Sequence, residues 1–152
     1  MTITSTPGAL KKFRRTPWRF QQTVELPDAG GLERFVEILI TTHGGLRAAT
    51  ITIDEVIFHT VRISALYPAG AALTHDVSLI ADSMEEVRDL LLAVLWDGPD
   101  CACIPTPKPF VMYADHDGWI TFYANTKGNL NHVIDPLASY GYKLVQNWQR
   151  EP

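Results

Sequence analysis

The sequence predicts an α+β fold, an antiparallel or mixed β-sheet with helices packed on one face, and three observations carry that expectation. The stretch Phe110–Ala124 reads as strand, tight turn and returning strand. Two segments, Leu32–Ile40 and Val87–Leu95, place apolar residues at helical spacing, which marks one buried stripe on each. Strand-like runs flank both helices, so the chain order is β-α-β-β followed by β-α-β-β-α-β, a layered arrangement of sheet and helices.

Taken in order, residues 1–16 hold Thr, Ser, Pro and Gly and then basic residues, without apolar periodicity, and read as a mobile basic arm. Residues 17–152 read as a single α+β domain, the size expected for one core. Trp18–Leu26 alternates apolar and polar residues as a first strand. Pro27–Gly31 breaks it, and a helix follows from about Leu32 to His43, stopped by Gly44-Gly45. Ala48–Ile53 and Val56–Ile63 read as the arms of a hairpin around Asp54-Glu55. Tyr67–Ala72, with Pro68 and Gly70, reads as a loop.

His75–Ala81 is the next expected strand. Ser83 with Glu86 three residues later forms a capping-box pattern ahead of a helix over Met84–Trp96. Asp100–Pro109 carries three prolines and both cysteines and reads as an irregular surface loop. In the hairpin that follows, Asp115-His116-Asp117-Gly118 has the residues of a tight turn. Trp119, Thr121 and Tyr123 share one face of the returning strand, and Ile120, Phe122 and Ala124 share the other. Both faces carry bulk, which predicts an interior strand. Asn129 is an expected N-cap for a helix to Tyr140, with a kink at Pro136 or a division there into two short helical pieces, and Tyr142–Trp148 is an expected last strand. The likeness between Val24–Phe35 and Val77–Val87 suggests two strand–helix–hairpin units with a C-terminal αβ extension.

Composition excludes several classes. No run approaches the ~18 apolar residues of a membrane span, and Met1–Pro7 lacks the charged-then-apolar layout of a secretory leader, so a cytoplasmic location without membrane contact is expected. Cys101 and Cys103 stand one residue apart, a spacing too tight for a structural disulfide and too few ligands for a zinc site. There is no nucleophile elbow, phosphate loop, dinucleotide-binding glycine pattern or His-Glu-x-x-His helix. Neither a metal nor another cofactor is expected.

Charge is divided along the chain. Residues 1–19 hold five basic groups and no acid, whereas residues 20–152 hold 8 basic and 17 acidic groups, a formal charge of −9. Such a body repels nucleic acid, which proteins hold through phosphate neutralisation, and attracts a basic protein. Weak contact with nucleic acid is left to the basic arm. Asp115, His116, Asp117, Trp119 and Tyr123 are the expected binding residues: aromatic side chains at a centre with acids at a rim. The expected function is therefore a non-catalytic domain binding a basic partner, of which an inhibitor or immunity-type protein is one version. The competing expectation is a small enzyme or ligand-binding domain, with a pocket between sheet and helices lined by His59, His75 and the Asp115–Asp117 turn.

Overall fold

The structure is a computed structural model that describes residues 1–67 and 72–151. Most of the loop expected over Tyr67–Ala72 lies outside the described residues. The fold is α+β. Eight strands form one antiparallel sheet: β1 (Thr2–Ser5), β2 (Phe20–Glu25), β3 (Ala48–Glu55), β4 (Val77–Ala81), β5 (Asp100–Thr106), β6 (Val111–Ala114), β7 (Trp119–Ala124) and β8 (Leu144–Val145). Their order across the sheet is β1-β4-β3-β5-β6-β7-β2-β8. Among the described residues there are five helices: α1 (Ala9–Arg15), α2 (Ala29–Thr41), α3 (Val61–Leu66), α4 (Met84–Asp97) and α5 (Lys127–Ser139). No helix among the described residues is long and apolar enough to cross a membrane.

The three long helices cover one face of the sheet, as the apolar spacing requires. Phe35, Val36 and Leu39 of α2, Leu90, Leu91 and Val94 of α4, and Val133 and Leu137 of α5 form one core with Ile51, Leu79, Met112 and Phe122. Caps fix where the helices begin. Asp28 accepts from the Gly31 N–H, Ser83 from that of Glu86 and Thr126 from that of Asn129. The cap of α5 is thus Thr126 rather than Asn129. Pro136 sits inside a continuous α5 instead of dividing it.

Five further expectations are corrected. Residues 1–16 are not a free arm: β1 pairs with β4, and α1 lies on the reverse face of the sheet. Only two apolar side chains seat that helix, Leu10 and Phe13, but they are three residues apart and pack against Tyr113 and Tyr123. Asp76 adds hydrogen bonds from the N–H groups of Gly8 (2.9 Å) and Leu10 (3.2 Å).

Asp100–Pro109 is not a surface loop; most of it is β5, which pairs with β3 and β6 in the middle of the sheet. Cys101 and Cys103 are buried on its helix-covered side. The β6 pairing stops at Cys103, so Pro105 falls where β5 has one partner strand and a missing N–H is tolerated.

Val56–Ile63 is not a hairpin arm. Both edges of β3 are already taken by β4 and β5, so the chain leaves the sheet and begins α3. The last expected strand, Tyr142–Trp148, contracts to β8, two residues paired with the edge of β2. Nor does the sheet divide into two equivalent units. The chain passes from β2 through α2 to β3 across three intervening strands, while β4 and β5 flank β3 on either side.

Candidate functional site

The β6–β7 turn gives its three polar residues three different tasks. The Asp115 N–H donates to the carbonyl of Trp119 (3.0 Å), and the Gly118 N–H donates to that of Asp115 (3.2 Å). Gly118 has φ 83°, the left-handed conformation that glycine adopts without cost. The Asp115 carboxylate turns inward. Its Oδ1 accepts from the N–H groups of Asp117 (2.9 Å) and Trp119 (3.1 Å), and its Oδ2 pairs with the Arg150 guanidinium. His116 is turned sideways onto Asp100, whose Oδ1 accepts its N–H at 2.7 Å and lies 2.8 Å from its Nδ1. That hydrogen bond raises the imidazole pKa above its usual value, with the charges of Asp100, Asp117 and Asp115 adding to it. Asp117 points outward and is 79% exposed.

Behind the turn, Arg150 holds the C-terminal segment against the sheet. Its N–H and carbonyl form a pair of hydrogen bonds with the Gln21 side chain (2.8 and 2.9 Å). Its guanidinium lies 4.8 Å from the Tyr113 ring. Trp148 meets Trp119 edge to face, with centroids 4.5 Å apart. A cleft of about 440 Å³ opens between these groups, bounded by Asp100, Asp115, His116, Trp119, Trp148 and Arg150. The Tyr113 hydroxyl donates to Asp54 Oδ2 at 2.6 Å. Burial and then this carboxylate push its pKa upward, so it stays protonated.

Four of the five expected binding residues meet here: Asp115, His116, Asp117 and Trp119. Tyr123 does not. It shares a face with Trp119, as β alternation requires, but α1 covers that part of the face. The ring is fully buried between Phe13 and Trp18, so it is core and cannot touch a partner. His75 is exposed and lies 3.2 Å from Asp54 and 3.7 Å from Asp76. His59 is exposed on the loop after β3. His132 stands against His43, with ring centroids 4.9 Å apart. Burial, and then its neighbour His132, lower the His43 pKa. Among the described residues, the main core fills the space between the sheet and the long helices.

The strand directions gather charge at this end of the molecule. Asp54 and Glu55 close β3, Glu25 closes β2, and Asp76 precedes β4. Asp97 and Asp100 flank the α4–β5 connection, and Asp115 and Asp117 lie in the β6–β7 turn. Those eight carboxylates face four basic side chains: Arg14 on Asp54, Arg150 on Asp115, Arg62 on Trp96, and the exposed Lys143, whose carbonyl accepts the Glu25 N–H. Asp100 and Arg150 are central to the geometry and carry no local sequence signal. One follows a Gly-Pro pair and the other sits in a polar terminus. No family model matches the chain, and no curated protein or solved structure matches it.

Proposed function

We propose that the chain is a non-catalytic domain that binds a basic protein through the acidic end of its sheet, with the Asp115–Gly118 turn at the front. An inhibitor or immunity-type protein covering a basic toxin is one concrete form. The observation that carries the reading is the concentration of eight carboxylates against four basic side chains where the strand ends converge. Such a field steers an oppositely charged partner and speeds encounter. The turn suits contact because its backbone and two of its three polar side chains are already fixed, so little ordering cost remains on binding. Lys11, Lys12 and Arg15, exposed on α1, offer a separate weak contact for anions, nucleic acid included. The test is association of the purified partner with wild type and with the Glu55→Lys/Asp117→Lys pair. The rate should fall about tenfold at low salt and converge at high salt; a rate unaffected by both changes refutes the reading.

One observation favours the competing reading, a small enzyme or ligand-binding domain: His116, with its pKa raised by Asp100, borders a cleft. Perturbed groups in clefts mark candidate sites. A small molecule that co-purifies stoichiometrically and is lost in His116→Ala would establish it.

A further inference from the structure

The segment after β3 leaves the sheet and turns its apolar side chains outward. Val56, Ile57 and Phe58 are consecutive and exposed, Val61 is 72% exposed, and Trp96 on α4 is 48% exposed. Contacts place two of these side chains, Phe58 and Trp96, at the same end of α4. A methyl group on the Cα of Gly98 would lie 3.4 Å from the Phe58 ring, so that ring rests on the end of α4. The same ring is 6.4 Å from His116 of the acidic turn. The Arg62 guanidinium lies 3.8 Å over the Trp96 indole. Asp97 accepts the N–H groups of Ile63 (2.8 Å) and Arg62 (3.3 Å), which fixes α3 beside that indole. Phe58 therefore bridges the hairpin turn and the end of α4, and Val56, Ile57 and Val61 are exposed on the segment that carries it, which makes this an apolar strip.

Monomeric proteins rarely leave a contiguous apolar surface of more than a few hundred Å² in water, and larger ones mark interfaces. The charge around this strip says what kind of surface covers it. Glu55 and Asp117 stand exposed at its margin, with Asp97 and Asp100 behind. A second copy of the chain would bring two such acidic ends together, whereas a basic partner would neutralise them. We propose that Val56, Ile57, Phe58, Val61 and Trp96 are the apolar centre of the interface, and that the occupant is a basic protein presenting an aliphatic or aromatic side chain flanked by lysine or arginine. This rests on the reading that the acidic end binds a basic partner: the turn supplies the charged rim, and the strip supplies the anchor, the usual division of labour in an interface.

The test pans random dodecapeptides displayed on phage against the full chain, then measures one enriched peptide, made synthetically, by fluorescence anisotropy at low salt. Enriched peptides should combine Lys or Arg with Leu, Ile, Phe or Trp. Affinity should drop at least about tenfold in Val61→Asp and in Phe58→Asp, both surface changes, and several-fold in Asp117→Lys. Near-ultraviolet circular dichroism of each variant confirms that the fold is kept. No enrichment, or enrichment of acidic peptides, overturns the inference. So does sedimentation showing a dimer that Val61→Asp dissolves. Affinity lost in Asp117→Lys but unchanged in Val61→Asp and Phe58→Asp overturns the strip alone and leaves the acidic end standing. Affinity unchanged in all three removes both.

Discussion

Asp97→Ala tests how the outward-facing segment is held. The carboxylate is buried and accepts from the N–H groups of Ile63 at 2.8 Å and Arg62 at 3.3 Å, standing in for the side-chain cap that Thr60 does not supply. A hydrogen bond to a charged group contributes about 1.5–3 kcal/mol, and the longer of these two belongs at or below the bottom of that range. Loss of a helix cap costs about 0.5–2 kcal/mol. The two ranges meet near 2 kcal/mol, which is the expected loss of stability. With a urea m-value of about 2 kcal/mol/M, the unfolding midpoint should fall by about 1 M. Asp97→Asn keeps an acceptor oxygen and should lose roughly half as much. A six-residue helix does not hold itself together in water, so trypsin should also cut after Arg62 faster in the alanine variant. A loss below about 0.5 kcal/mol, with unchanged proteolysis, would refute the capping role.

Arg150→Ala removes the pair with Asp115 and the cation over Tyr113, side chains 20% and 10% exposed for the pair. Partly buried pairs lie between the surface and interior cases, so the loss should be about 2 kcal/mol, with tryptophan fluorescence changing as Trp148 leaves Trp119; an unaltered midpoint and spectrum would contradict this. Cys101 and Cys103 are buried, and burial raises both thiols, that of Cys103 to about 12. An aromatic disulfide reagent should therefore label neither cysteine in native protein and both in urea; fast native labelling would contradict the strand assignment of β5. His116 has its pKa raised in the folded state by Asp100. Its contribution to stability is thus complete below the unfolded value of about 6.5 and is lost as pH rises through the folded value. The stability gap between wild type and His116→Gln should be widest in mild acid and shrink toward alkaline pH; a gap that widens would reverse the assignment.

What could be read in advance depended on whether local chemistry settles a segment. The β6–β7 hairpin and α4 were legible because turn residues, cap and apolar spacing agree there; the apolar stripe of α2 was legible too, but not its start, because Asp28 caps it and Ala29–Gly31, read as part of a break, form its first turn. β5 was not, because Pro105, Pro107 and Pro109 read as a loop, while the reason for burial, two waiting neighbours in the sheet, is not local. α1 hides for the opposite reason: Leu10 and Phe13 alone form no periodic stripe, and their partner surface comes from β6 and β7. Val56–Ile63 has the residues of a strand, but both edges of the preceding β3 are already paired. At the site, the position of Asp115–Asp117 could be read, yet the separate roles of its side chains could not. Those are set by Asp100 and Arg150, which reach the turn only through the fold. Tyr123 was misplaced because alternation tells which face a residue takes, not what covers that face.

The account turns on recognition of a basic protein by the acidic end of the sheet. The direct measurement is affinity capture from source-cell lysate at low and high salt, with mass spectrometry of protein, metal and small-molecule content. The captured protein is then purified and titrated against wild type and the Glu55→Lys/Asp117→Lys pair. The account predicts a basic protein that elutes with salt and binds the double variant about tenfold or more weakly. A partner that resists salt and binds both proteins equally would contradict it, as would a stoichiometric small molecule or metal in place of any protein.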